Sequence, residues 1–537
     1  MSMTWKQASG HAIIMLVVFI LLPAGIGRSQ IFNDESVKFS QALNWINKYY
    51  VDSVDQHKLV ETAIVEMLHT MDPHSTYLTK EEVKEMEEPL QGSFEGIGVS
   101  FDILNDTIII VNPIPGGPSE KVGILAGDRI VMIGSENVAG RGIRTNDVYK
   151  RLRGDKGTKV TISVKRRSVP DLLDFTITRD KIPIFSVDAS YMVNDHAGYI
   201  KINRFAYTTM DEFHQALANL KMQGLKDLIL DLSSNGGGYL DVAIQLADEF
   251  LGQQRLILYT EGLHQPKRNY NATDRGDFQD GKLVLIIDEG SASASEIVTG
   301  AVQDWDRGII VGRRSFGKGL VQSPLKLIDS SMIRLTIARY YTPSGRLIQK
   351  PYTDYDEYSN DLIKRYNNGE LSEEDKNIFP DSLRYQTLLS GRTVYGGGGI
   401  MPDYFVPIDT SYYSEFYRKI MNRGTLNMFV LNYLDNQRAE LTDSFPAFNL
   451  FRDQFSVSDE LIKQLVDFAG RDGVVYDEKG YGSCREQLRM LLKANIARDL
   501  WDTGSFYEIV NQQNPSVIKA LEVIAEPVKY QAVLKQK

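Results

Sequence analysis

The stretch KLVLIIDEGSASASEIVTGAVQDW, residues 282–305, decides the fold. Residues 282–288 are an apolar run of strand length, Glu289 and Gly290 turn the chain, and 292–305 carry the spacing of a helix. A strand delivered through a tight turn into a helix is the unit of an α/β protein. Three serines of Gly-Ser-Ala-Ser-Ala-Ser-Glu, 290–296, fall at the junction. Backbone N–H groups at a helix start lack intrahelical partners, and the positive end of the helix favours an oxyanion beside them. Serine is also a preferred N-cap, so the cluster taken alone reads as a cap.

The stretch Phe-Gly-Lys-Gly-Leu-Val-Gln at 316–322 changes that reading. A lysine is a general base only when neutral, so its ordinary pKa of roughly 10.4 must be lowered by desolvation or positive potential. Gly317 and Gly319 permit close backbone approach to Lys318, while Phe316, Leu320 and Val321 supply apolar cover. Serine and lysine together point to a serine hydrolase that does without histidine. Gln322 shares the strand parity of Lys318, but regular geometry would separate their Cα atoms by roughly 13 Å. Direct contact therefore requires a bulge or turn at Gly319. Asp304 lies on the helical face of Ser293 but roughly 16 Å along the axis, too far to orient a reacting group, so Asp304 and Glu296 are expected to be supporting residues.

A third element lies at 227–238. An apolar strand over 227–232 ends in Ser-Ser-Asn-Gly-Gly-Gly before a helix starting near Leu240, so bare backbone can approach a substrate carbonyl. No Gly-Lys-Ser/Thr follows, which removes the phosphate-loop reading.

These motifs occur in order with Met-Leu-His-Thr-Met-Asp-Pro-His-Ser at 67–75, Tyr-Thr-Pro-Ser-Gly-Arg at 341–346 and Gly-Gly-Gly-Gly-Ile-Met-Pro-Asp at 396–403. Over roughly 35–410 the chain resembles the carboxyl-terminal processing peptidases, or tail-specific proteases. The resemblance implies Ser293 as nucleophile, Lys318 as base, Gln322 as the lysine's support, and backbone oxyanion donors at Ala294 and Gly237. Residues alone leave the choice among Ser291, Ser293 and Ser295 open. Many family members carry Asn-Pro-Gly-Gly where this chain has Gly236 in the proline position, which leaves the glycine donor's register open by one residue. The implied core is α/β, crotonase-like or ClpP-like, and needs no metal or organic cofactor.

Residues 92–101, Gly-Ser-Phe-Glu-Gly-Ile-Gly-Val-Ser-Phe, and the later Gly-Asp-Arg-Ile at 127–130 resemble a PDZ domain. That implies a loop of Gly96, Ile97, Gly98 and Val99 whose N–H groups take a substrate's terminal carboxylate, with Ile97, Val99 and Phe101 receiving its last apolar side chain.

The expected organisation is a signal peptide or anchor at 1–29, N-terminal helices at 33–90, an inserted β-rich PDZ domain at 92–168, the peptidase core at 170–410 and a helical extension at 411–537. Lys6 and His11 precede an apolar run over 12–22, followed by Pro23 and small residues, the pattern of a secretory signal. Cleavage near 27–30 would give an exported, periplasmic protein, and an uncleaved segment would hold it to the inner membrane. The stretch 351–395 reads as a surface insertion. In a 537-residue chain with 42% hydrophobic and 24% charged residues, several cores can form without disulfides. The net charge of −10 without a basic stripe excludes a nucleic-acid partner. Seven histidines in no ligand spacing give zinc no support, and the single cysteine, Cys484, cannot form an intrachain disulfide. Expected partners are proteins with exposed C-terminal tails, with a second copy of the chain or an adaptor on the extension. The competing class is an inactive or partner-activated peptide-binding protein on the same scaffold.

Overall fold

The computed structural model describes residues 34–167, 169–376 and 379–535, so the expected signal peptide at 1–29 lies outside the described residues. The chain divides into two compact units, Met1–Met67 and Leu68–Lys537. The first contains the helix Asp34–Tyr49, none of whose residues is buried, and most of the helix Gln56–His69. Phe39, Trp45, Tyr49 and Tyr50 all stand exposed here.

The second unit is organised around a six-stranded sheet in the order Val187–Met192, Ala197–Ile202, Asp227–Asp231, Leu283–Ile287, Ile309–Gly312, Tyr404–Phe405. The first pair is antiparallel and the rest are parallel. Parallel neighbours need crossover connections, and helices Thr209–Met222, Leu240–Asp248 and Ala294–Asp304 supply them. With both faces covered, strands such as Leu283–Ile287 are buried at every position, which is why their sequence is an unbroken apolar run. The crossover helices pack on one face through Phe213, Leu246 and Val298. The other face is closed by the chain's last helices, where Val517, Ala520, Val523 and Tyr530 meet Tyr199, Ile229, Val284 and Val311. The extension is thus part of the core's own packing, a role no motif announced.

A second sheet pairs Thr76–Leu78, Leu320–Lys326 and Leu256–Gly262 with the long strand Met332–Tyr341. An antiparallel sheet from Val99–Leu104 to Leu172–Thr178, closed by helix Thr145–Leu152, forms a separate β-rich core around Ile108, Ile130 and Val148. Helices between Glu415 and Val510 enclose a third core that includes Cys484. This cysteine lies among polar residues in sequence yet is buried. Among the described residues no helix is long and apolar enough to cross a membrane.

The stretch 351–395 lies mostly exposed at the surface, as expected, but it is anchored to the core. Arg365 and Glu370 are buried in it, and Glu370 ion-pairs with both Arg365 and Arg314. Arg365 also donates to the carbonyls of Arg314 and Ser315, bracing the chain just before Lys318.

Candidate active site

Two loops leave the carboxyl ends of neighbouring parallel strands, Asp227–Asp231 and Leu283–Ile287, the usual place for a ligand crevice in an open α/β sheet. They are stitched together. Asp288 Oδ1 accepts from Ser234 N at 2.7 Å and Gly290 N at 3.0 Å, and Ala292 N donates to Asn235 O at 3.0 Å. Of the three serines, Ser291 and Ser295 are fully buried, with Oγ donating to Leu232 O at 2.8 Å and to Asn235 O at 2.9 Å respectively. Ser293 alone of the three reaches a cavity of about 590 Å3, whose lining also includes Ala294, Lys318, Gln322, Gly238 and Arg334.

Ser293 has φ +55° and ψ −109°, immediately before the helix Ala294–Asp304. A non-glycine residue there carries about 1–3 kcal/mol of strain and persists only where its surroundings hold it. The holding group is Glu296, one turn on. Its Oε2 accepts from Ser293 N at 2.8 Å and Lys318 N at 2.9 Å, and its Oε1 accepts from Gly317 N at 2.7 Å and Ser315 Oγ at 2.6 Å. One fully buried carboxyl therefore fixes the backbone of both the serine and the lysine. Burial pushes its pKa up, opposed by these donors. The signal was in the sequence, since Ser293 followed by Glu296 has capping-box spacing, but nothing local shows that the same carboxyl reaches 315–318.

Lys318 sits on the loop before strand Leu320–Lys326, and its pKa falls from 10.5 to about 8. Desolvation is the main cause, helped by the Arg334 cation and opposed by Glu296 and Asp72. Glycines make the close packing possible. A Cβ on Gly317 would lie 3.1 Å from Gly398 C, and Gly317 has φ +90°, a conformation natural only to glycine. The strand irregularity expected at Gly319 occurs instead between Val321 and Gln322. Gln322 Nε2 donates to Thr336 Oγ1 at 3.3 Å, and Thr336 Oγ1 donates to Asp72 Oδ1 at 3.0 Å. Asp72 also accepts from His74 N, Ser75 N and Ser75 Oγ, so the early Asp-Pro-His-Ser motif braces the strand behind Gln322. His74 falls to about 4 through burial and then the Lys318 charge, and its Nε2 lies 2.6 Å from Tyr358 Oη.

Ala294 is the first helical residue and its N–H has no intrahelical acceptor. Gly237 lies against it, since a Cβ on Gly237 would stand 2.9 Å from Ser293 Cβ and 3.0 Å from Ala294 N. The Gly237 N–H, expected to face a substrate, donates to Asn235 Oδ1 at 2.9 Å in this conformation. Among the described residues no hydrogen bond joins Ser293 Oγ to Lys318 Nζ. Asp304 is fully buried and paired with Arg346 at 2.6 Å, at the opposite end of the helix Ala294–Asp304 from Ser293.

In the β-rich region, Gly96 ends strand Ser93–Gly96, Ile97 and Gly98 connect, and Val99 opens the next strand. Ile97 is 2% exposed in the local core, and its carbonyl accepts from Ser119 N and Oγ. Phe101 meets Tyr149 edge-on with ring centroids 5.3 Å apart.

Residues 196–359 match the model of peptidase family S41, and 109–166 match a PDZ domain. Residues 26–82 match the N-terminal domain of the activating protease CtpB, and 416–502 match a family of unknown function, DUF8443. The chain is 38% identical over 317 residues to the carboxy-terminal-processing protease of Bartonella bacilliformis, covering 58% of this chain and 72% of that relative. It is 36% identical to the carboxy-terminal processing protease CtpB of Bacillus subtilis, covering 58% of this chain and 65% of that relative. Among solved structures, the photosystem II D1 C-terminal processing protease aligns at 28% identity over 58% of this chain and 90% of that chain, with a TM-score of 0.33. With the serine and lysine loops meeting at one cavity and most of a relative's length matched at this identity, the chain belongs to the carboxy-terminal processing proteases, serine peptidases of family S41 that carry a PDZ domain.

Proposed function

We propose that this protein is an exported serine endopeptidase that takes protein substrates by their C-terminal tails and cleaves them through a Ser293–Lys318 pair. The observation that carries the reading is the convergence of both residues on one cavity, with Glu296 bonded to the backbone of each. Neutral Lys318 Nζ takes the Ser293 Oγ proton, and Oγ attacks the peptide carbonyl. The oxyanion is held by Ala294 N–H and by Gly237 N–H once it leaves Asn235. Collapse expels the amine, which receives the lysine's proton, and water hydrolyses the acyl-enzyme. Gln322, bonded through Thr336 to Asp72, orients the lysine.

The Gly96–Phe101 segment receives the tail, which adds to the sheet edge as an extra strand. The working division is a signal at 1–29 that directs the chain to the periplasm, helices over 33–90, a PDZ domain over 92–168, a crotonase-like core over 170–410 and the extension over 411–537. The exposed aromatic face of Asp34–Tyr49 supports a homo-oligomer built through the N-terminal helices. The occupied Gly237 donor and the missing serine–lysine bond support a second reading, in which this is the resting form and a bound tail or partner activates it.

The test is degradation of an unfolded protein by wild type, Ser293→Ala and Lys318→Ala, with intact masses of products and of any acyl-enzyme. Cleavage lost in both variants supports the mechanism. Cleavage that survives Ser293→Ala refutes it, and a wild type silent with every tail tried supports partner activation instead.

A further inference from the structure

The catalytic cavity contains a second cation. Arg334, on strand Met332–Tyr341, lines it together with Ser293 and Lys318. Arg334 is partly buried; the buried arginines of the core hold carboxylates, Arg314 and Arg365 holding Glu370, Arg346 holding Asp304 and Arg392 holding Asp306 and Asp403, and the partly buried Arg307 is met by four backbone carbonyls. Arg334 holds none. Among the described residues its one directed contact is a weak bond from a guanidinium nitrogen to Met86 Sδ at 3.6 Å. Burial pushes its pKa down, and no neighbouring anion opposes that. Two acidic residues, Glu87 and Asp241, also line the cavity, yet neither pairs with it. A desolvated guanidinium without an anion is costly, and a bidentate carboxylate is the ligand that relieves it.

From this arrangement we infer that Arg334 is the substrate-binding residue that takes a carboxylate of the bound peptide next to the scissile bond, giving the enzyme a preference for an acidic group there. The inference rests on the serine–lysine reading of the same cavity. The carboxylate has two sources, an Asp or Glu side chain or the peptide's own C-terminus, and the guanidinium recognises both alike.

The experiment uses the full chain and one unstructured peptide in three forms. Two are C-terminally amidated, with either Glu or Gln beside the cleaved bond, so that neither offers a terminal carboxylate to the PDZ domain. The third has Gln and a free C-terminus close to that bond. Wild type is expected to favour the Glu form over the Gln form by about 10- to 100-fold in kcat/KM, the range of a charge-assisted hydrogen bond. Arg334→Gln should abolish that ratio, and Arg334→Lys, which keeps the charge but not the fork, should retain part of it. Because all forms use the same lysine, the ratio cancels any change in Lys318 protonation. A free-C-terminus form favoured over its amide in wild type but not in Arg334→Gln assigns the terminal carboxylate as a source, since capture by the PDZ domain would leave that preference unchanged in the variant.

An equal ratio in wild type and Arg334→Gln, with Ser293→Ala inactive, overturns the assignment of Arg334 alone. If Ser293→Ala still cleaves, the catalytic reading falls. The acidic-to-neutral ratio of peptide affinities, measured in Ser293→Ala with and without Arg334→Gln, then still decides the role of Arg334.

Discussion

Titration of Lys318 is the sharpest consequence of the site's electrostatics. With a pKa of about 8, roughly 9% of Lys318 is neutral at pH 7, whereas an unperturbed lysine at 10.5 would be roughly 0.03% neutral, a difference of about 300-fold in usable base. The sign follows from the base needing its neutral form: kcat/KM should climb about tenfold per pH unit below 8 and level off above it. Three groups set the midpoint. Burial lowers it, the Arg334 charge lowers it further, and Glu296 raises it. Arg334→Gln should therefore move the limb to higher pH and Glu296→Gln to lower pH, opposite shifts from two residues beside the same lysine. The assay is kcat/KM for a short unstructured peptide from pH 6 to 10, in a range where circular dichroism shows the fold intact. A flat profile, a midpoint near 10.5, or a midpoint near 6.5 that moves on His74→Gln would refute the reasoning.

Glu296→Gln should also destabilise, because the amide turns an N–H2 toward two of the four donors that the carboxyl now satisfies. The expected loss is about 2 kcal/mol or more, read by thermal unfolding beside kcat, and an unchanged melting temperature would count against the clamp. Gly237→Ala places a Cβ 2.9 Å from Ala292 O at φ +102°, so the loop must move off Ser293; on the proposed mechanism turnover should fall by about 100-fold or more while a PDZ-directed tail peptide still binds. Asp304→Ala leaves Arg346 buried without its carboxylate, costing about 3–5 kcal/mol in unfolding experiments, while the pH profile of the remaining activity stays put; a shifted profile would contradict a purely supporting role for Asp304. Truncation before residue 503 uncovers Tyr199, Ile229, Val284 and Val311 and should yield an aggregating, dye-binding protein rather than a soluble core.

The alternation of apolar strands and helical periods was legible because strands buried on both faces must be apolar throughout, as Leu283–Ile287 is. The serine loop, the glycine loop and the lysine loop were legible for a related reason. Each needs particular small or nucleophilic residues next to one another in the chain, so the pattern is local. The same locality explains what was missed at 351–395, a stretch that is mostly solvent-facing as its Tyr, Asp and Asn content suggested but has a buried anchor. Composition does not show that Arg365 and Glu370 close an ion-pair network with Arg314, 51 and 56 residues away.

What the sequence by itself determined is the α/β class, the order of the motifs and the identity of the residue types that could react, because these depend on periodicity and on short contiguous segments. Only the tertiary structure decided which serine faces the cavity, since burial of Ser291 and Ser295 depends on Leu232 and Asn235 of another loop. It also decided that Glu296 fixes both the serine and the lysine segments, that Arg334 lines the same cavity as Lys318 with no ion-paired carboxylate among the described residues, and that the extension seals the central sheet. Each of these is a contact between segments distant in the chain. Local propensity cannot encode such contacts, because they come into being only when packing brings the segments together.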